Sequence, residues 1–150
     1  YWDHERACID GDRHAFKRRF VERIGAHARM LRQAGLDLVL IGDWNVSRAA
    51  IDTVPRLRRE EPHATARREF NEDFMRGLDL IDAWRELHPD ARQYTWFNRR
   101  ARPGRLDAAR VDFALLDRRL LPRVLAIEID DAPAARAGSD HAPLALTLAC

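Results

Sequence analysis

Leu36-Asp37-Leu38-Val39-Leu40-Ile41-Gly42-Asp43-Trp44-Asn45 decides how this chain is read. The apolar run is short and rich in Leu, Val and Ile, which reads as a core strand buried on both faces. Gly42 marks its end. If the chain stays extended past it, Asp43 and Asn45 point to one side, because side chains two apart share a face. A carboxylate that accepts a proton would then stand beside a carboxamide that donates one. The same four residues also fit an Asx turn that only satisfies local backbone groups.

Working upstream, Asp12 to Gln33 carries Phe16, Phe20, Ile24 and Leu31 against Arg and Glu, the pattern of an amphipathic helix, with Phe16 and Phe20 expected in the core. Tyr1 to Gly11 reads as a polar turn, and Ala34-Gly35 ends the helix. Downstream, Val46 to His63 has no clean period, and Pro55, Pro62, Arg56, Arg58, Arg59, Glu60 and Glu61 suggest a surface loop. A helix is expected again from Ala64 to Gly77 through Phe70 and Phe74. Leu78 to Leu87 reads as a connection in which Asp82 caps a turn carrying a core Trp84 and Arg85, closed by Pro89.

Tyr94-Thr95-Trp96-Phe97 is a strand by composition. Asn98 to Ala109 is a polar loop holding Arg99, Arg100, Arg102 and Arg105, and Arg110-Val111-Asp112-Phe113-Ala114-Leu115 is its expected return strand. One helical turn from Asp117 to Leu121, a strand from Val124 to Ile129, a loop from Asp130 to Gly138 and a last strand from Leu144 to Leu148 complete the chain. The expected class is α+β with a largely antiparallel sheet.

At 150 residues and 17.4 kDa, with 46% apolar residues, the chain can build one core. Its formal charge of +2 is mildly basic, and Lys17 is its only lysine. No apolar run is long enough to span a bilayer, no signal-peptide pattern is present, and Cys8 and Cys150 lack metal-ligand spacing. A start at Tyr1 and an end at Cys150 directly after a strand are expected of a piece of a longer polypeptide with other domains.

Three strand ends present polar groups: Asp43 with Asn45, Asp112, and Asp140 with His141. Asp112 lies between Val111 and Phe113, where an unpaired buried carboxylate would cost several kcal/mol, so it needs a partner. His141 is the natural one, because a carboxylate bonded to one ring nitrogen holds the other toward a substrate. A protonated imidazole there would stabilise charge growing on a phosphoryl oxygen. The plainer alternatives are an Asp112 on the solvent face of an edge strand and a Ser139-Asp140 turn cap before Pro143.

Gly42-Asp43-Trp44-Asn45, Leu80-Ile81-Asp82-Ala83-Trp84-Arg85 with Pro89, Tyr94-Thr95-Trp96-Phe97, Arg110-Val111-Asp112-Phe113-Ala114-Leu115 and Ser139-Asp140-His141-Ala142-Pro143 resemble, in order, the motifs of the endonuclease/exonuclease/phosphatase superfamily. The branch they resemble is that of exonuclease III and the apurinic/apyrimidinic endonucleases, including the endonuclease domains of non-LTR retrotransposons. The resemblance spans the chain but only the C-terminal portion of the family domain. It implies a partial four-layered α/β sandwich, two facing sheets flanked by helices, that lacks its N-terminal strands with the asparagine and metal-binding glutamate they carry, leaves one apolar sheet face without a partner, and is expected to be incomplete as an enzyme by itself.

The resemblance also implies roles. Asp43 would orient or deprotonate the attacking water, and Asn45 would hold the scissile phosphate. His141, held by Asp112, would bond a phosphate oxygen, and Asp140 would bind the catalytic divalent metal, Mg²⁺ or Mn²⁺. Tyr1 would match the family's active-site tyrosine. Arg99, Arg100, Arg102, Arg105 and Trp96 would meet a DNA backbone at the site mouth. The partner implied is DNA and not a membrane. Abasic-site enzymes carry an aromatic residue beside the Arg-x-Asp motif, whereas Arg110 follows Ala109, which favours a nicking enzyme of looser specificity. A lipid or inositol headgroup phosphatase of the same superfamily, and an inactive or merely DNA-binding remnant of a mobile element, are the competing readings.

Overall fold

The computed structural model describes residues 2–55, 63–132 and 138–149, with side chains described from residue 14 in the first helix and from residue 64 in the second. Tyr1, the charge cluster from Arg56 to Glu61, and Cys150 lie outside the described residues. Helix α1 runs from Trp2 to Gln33, so the segment expected as a polar turn is helical. Nothing between Trp2 and Gly11 is a proline, and Glu5, Arg6 and Ala7 are good helix formers. Strand β1 (Val39–Asp43), helix α2 (His63–Glu69), strand β2 (Leu80–Asp82) and helix α3 (Ala83–Leu87) follow. The remaining strands are β3 (Trp96–Phe97), β4 (Ala108–Ala109), β5 (Asp112–Asp117), β6 (Val124–Ile129) and β7 (Leu144–Leu148).

The class is α+β, as expected, with every strand pairing antiparallel. The central strand is β5, flanked by β1 and β2 in a three-stranded sheet, while β3 pairs β4 and β6 pairs β7. Alternation along β5 builds two cores. Phe113 and Leu115 point to one face, where Ala28 of α1, Trp44, Phe70, Phe74 and Leu78 close over them. Ala114 and Leu116 point to the other, against Ile127 and Ile129 of β6, Trp84 and Ala142. The molecule is therefore layered as helices, a three-stranded sheet and a two-stranded sheet. Both faces of the sheet are covered along β5, contrary to the expectation of one bare apolar face.

The exposure falls instead on β1. With β5 as its only strand partner among the described residues it is an edge strand, and Val39 and Ile41 are 38% and 53% exposed. They share the face of Ala114 and Leu116, but β6 and β7 do not extend over them. An apolar run alone reads as buried on both faces, and sheet order decides otherwise.

In α1 the buried stripe is Val21, Ile24, Gly25, Ala28 and Leu31. Phe16 and Phe20, expected in the core, are 65% and 49% exposed. Phe20 sits one residue before Val21 and Phe16 one before Lys17, a turn earlier on the same face, and one residue rotates a side chain by about 100°. The second helical segment is not uniform. After α2 the backbone widens into a π-turn over Phe70–Met75 and tightens over Arg76–Leu78, ending at Asp79 in the left-handed region. The widened turn puts both Phe70 and Phe74 on the Trp44 ring, with centroids 5.3 and 5.0 Å away. The expected connection from Leu78 to Leu87 contains strand β2 and helix α3, and Asp82 does cap α3, its Oδ1 accepting from Arg85 N at 3.3 Å. Three residues of strand are too few to show a period in sequence.

The return strand differs as well. β3 closes its loop with the short β4, Trp96 pairing Ala109 and Phe97 pairing Ala108, and the chain then leaves that sheet to form β5 in another. The change of sheet is made by Arg110, which is fully buried. Its Nη1 and Nη2 donate to the two oxygens of Asp82 at 3.1 and 2.7 Å, and its Nε to Asp52 Oδ1 at 2.9 Å. Arg48 adds a further bond to Asp82 and Arg85 one to Asp52. The Arg110 guanidinium also lies 4.9 Å from the Trp84 ring centroid and 4.7 Å from that of Phe113. Burial pushes the Asp82 carboxyl up, but the Arg110 and Arg48 charges and bonds outweigh it and hold Asp82 below the usual carboxylate range.

Candidate active site

The register of β1 against β5 sets Asp43 directly opposite Asp112. Both lie on the sheet face of Ile41 and Ala114, one step beyond those residues toward the strand ends. The loop bearing His141 is pinned to the same end by backbone bonds. Phe97 N donates to Asp140 O at 2.9 Å, Ala142 N donates to Thr95 O at 2.7 Å, and Trp96 bridges His141. Thr95 is the joint between these segments. Fully buried, its Oγ1 accepts from Val111 N and Asp112 N at 2.9 and 3.0 Å, fixing the start of β5 beside β3.

His141 Nδ1 stands 2.9 Å from Asp112 Oδ2. An ionised carboxylate only accepts, so Nδ1 carries the hydrogen and Nε2 faces away from Asp112. Asp112 therefore has the partner its apolar neighbours demanded. One ligating atom from each of Asp43, Asp112 and His141 lies within 4.8 Å of the others.

Trp44 decides the shape of the Asp43–Asn45 turn. Its buried ring enters the aromatic core while its backbone N–H donates to Val111 O at 2.9 Å, leaving Asp43 and Asn45 outside. The chain does not stay extended here, since Asn45 adopts a φ of 50°, a left-handed conformation that Asn tolerates better than most residues. Asp43 Oδ1 accepts from Asn45 N and Oδ2 from Asn45 Nδ2, both at 2.7 Å. The Asx turn and the carboxylate-carboxamide pair are one structure. Burial raises the pKa of Asp43, as does the neighbouring Asp112, against the lowering effect of the Asn45 N–H, His141 and Lys17.

Asp140 accepts a hydrogen bond from Trp96 Nε1 at 3.1 Å and is not one of the three clustered residues. Ser139 does cap the turn, its Oγ accepting from His141 N at 3.0 Å, so the plainer reading of Ser139 holds beside the His141–Asp112 pair. Arg99, Arg100, Arg102 and Arg105 are carried on the β3–β4 loop, and Arg99 Nη1 reaches Gly138 O at 3.3 Å, next to the His141 turn. Trp96 is half-buried at the loop's root.

Sequence reasoning missed Lys17. Its ammonium donates to the carbonyl oxygen of Asn45, and burial of the side chain lowers its pKa to about 8 despite the nearby Asp43. The signal that could have found it was a single lysine in a chain that otherwise uses arginine. The Asp52–Asp82–Arg110 network was missed for a different reason, since only the fold shows that these three meet.

Among solved structures the chain is similar to an AP endonuclease from Archaeoglobus fulgidus, at 27% identity and a TM-score of 0.71, over 88% of this chain and 53% of that one. It is similar to the 3'-5' exonuclease NExo from Neisseria meningitidis, at 26% identity and a TM-score of 0.76, over 91% and 55%. A Neisseria NExo described as a 3' phosphatase bound to product DNA hairpin matches at 25% identity and a TM-score of 0.77, over 91% and 55%. These structures bear out the resemblance to the endonuclease/exonuclease/phosphatase superfamily, in its AP-endonuclease-like branch. The chain spans about half the length of these superfamily structures. No protein-family model matches the sequence, and no curated protein does.

Proposed function

We propose that this chain is the C-terminal portion of a superfamily domain that hydrolyses DNA phosphodiesters with a divalent metal. The observation that carries this reading is the imidazole of His141, bonded through Nδ1 to Asp112 within 4.8 Å of the Asp43 carboxylate. Two carboxylates and an imidazole converge on one point at the end of a sheet, which is what displacement at phosphorus requires. The DNA-acting proteins to which the chain is similar support DNA as the substrate.

Asp43 takes or orients the proton of the attacking water. Its raised pKa keeps it basic enough for that role, and each of its oxygens retains a lone pair beyond the bond to Asn45. Asn45 presents its remaining amide hydrogen to a phosphate oxygen. As the imidazolium, which has a hydrogen on each ring nitrogen, His141 donates from Nε2 to a second phosphate oxygen while Nδ1 is held by Asp112. Arg99, Arg100, Arg102 and Arg105 meet the phosphates flanking the cut, and Trp96 holds Asp140 in place while bordering the DNA path.

The donor set fits Mg²⁺ or Mn²⁺. Asp140, next in sequence to His141, adds a hard carboxylate to those of Asp43 and Asp112, and oxygen donors suit both ions. The ion, when bound, neutralises charge on the phosphoryl oxygens. A retroelement origin and a nicking activity of looser specificity than abasic-site cleavage belong to this proposal, the latter resting on Ala109, whose small side chain pairs Trp96 across β3 and β4.

Nicking of supercoiled plasmid in Mg²⁺ tests the proposal, using the 150-residue chain and the same chain preceded by any coding sequence upstream of it. Open-circle product is expected from the extended chain, abolished by EDTA and by Asp43→Ala. If both proteins fold, bind DNA and leave the plasmid intact, hydrolysis is absent and the DNA-binding remnant is the better reading. Release of phosphate from inositol lipids with no nicking would assign the chain to the headgroup phosphatases.

A further inference from the structure

Lys17 occupies the same face of α1 as Val21, Ile24 and Ala28, one turn before Val21, so its stem runs along the body of the protein beside Phe70 and Phe74. The ammonium ends on the carbonyl oxygen of Asn45. That contact joins α1 to the turn between β1 and the rest of the chain, 28 residues away in sequence.

Asn45 needs such a hold. A non-glycine residue at a φ of 50° is in a sparsely populated region and persists only where its surroundings fix it. On the amide side, the Asp43 carboxylate takes both the backbone N–H and the side-chain NH₂ of Asn45. On the carbonyl side the contact is Lys17. From these positions we infer that Lys17 is a positioning residue of the site: it anchors the Asn45 carbonyl, and so keeps the Asn45 carboxamide and the Asp43 carboxylate bonded to each other and facing the Asp112–His141 pair.

The inference rests on the functional reading above for its consequence in catalysis, but not for its structural content. Replacing Lys17 by methionine keeps the stem and deletes the donor, whereas arginine keeps a charged donor of similar reach. Neither change touches the β5 core, and protection of the Phe113 amide reports that the fold is intact.

The first measurement is hydrogen exchange of the Asn45 amide by NMR on the 150-residue chain. Lys17→Met is expected to raise that exchange about tenfold, the effect of removing one charge-assisted hydrogen bond, while Lys17→Arg restores protection. Unchanged exchange in a folded Lys17→Met variant overturns the inference. The second measurement is cleavage of a labelled oligonucleotide. A positioning role predicts a fall in kcat of about tenfold at nearly constant KM, rescued by Lys17→Arg. A rise in KM together with a drop of about one unit in the salt slope would make Lys17 a direct phosphate ligand and overturn it. If exchange rises in Lys17→Met but the wild-type protein cleaves no substrate, the positioning role stands and the nuclease reading fails.

Discussion

Arg110→Ala is the substitution whose cost can be worked most fully from the structure. The guanidinium is buried and makes one bond to Asp52 and two to Asp82, both carboxylates themselves being 1% exposed. Its removal leaves Asp82 with Arg48 and Asp52 with Arg85. It also opens a space between the Trp84 and Phe113 rings. Deleting one partner of a buried ion pair costs about 3–5 kcal/mol, because the remaining charge is left desolvated. With a urea dependence of about 2 kcal/mol per molar, the midpoint of unfolding should fall by about 1.5–2.5 M.

Acid titration separates a charge effect from a packing effect. In the wild type Asp82 has a folded pKa below that of the unfolded chain, which is about 3.9. Below that unfolded value the unfolded chain binds the proton first, so this stabilisation is complete above about pH 4 and is lost as pH falls through the folded pKa. Without Arg110 the burial that raises Asp82 faces only Arg48, its folded pKa moves up toward the unfolded value, and acidification from about pH 7 to about pH 2 costs the variant less than the wild type. Urea unfolding at those two pH values measures both effects. A loss under about 1 kcal/mol at neutral pH, or an equal loss at both pH values, would refute the claim that Arg110 holds the sheet change together through its charge.

The pH-rate profile of plasmid nicking should show an acid limb above the ordinary carboxylate range, because activity needs Asp43 ionised and its pKa is raised; Asp43→Asn should remove the activity with its limb. His141→Gln should lower kcat by about 10²- to 10⁴-fold with little change in DNA affinity, and loss of binding instead would show that His141 only docks DNA. Neutralising Arg99, Arg100, Arg102 and Arg105 singly should reduce the slope of log K against log salt by about 0.9 for each phosphate left without its cation, measured by anisotropy. Leu115→Ala should cost about 2–5 kcal/mol in urea unfolding, whereas Ile41→Ala, at a residue already half exposed, should cost well under that.

Local chemistry made much of the site legible in sequence. Asp112 between two apolar residues required a partner, the Gly42-Asp43-Trp44-Asn45 run required a turn, and a histidine shortly before Pro143 was the one imidazole placed at a strand end. The bonds from His141 to Asp112 and from Asn45 to Asp43 follow those requirements. Asp82 as the cap of α3 and the strands β6 and β7 were legible for the same reason, since caps and periodic strands are written within a few residues.

Tertiary structure alone decided the rest. Sheet order left β1 at an edge and β5 at the centre, although β1 carries the more apolar-looking run, because burial depends on how many neighbours a strand has. The phase of α1 against the body, a rotation no composition reveals, exposed Phe16 and Phe20 and turned Lys17 toward Asn45. Arg110 read in sequence as the first residue of a return strand. It became the buried link between sheets because Asp52 and Asp82, 58 and 28 positions away, arrive at the same point only when the chain is folded.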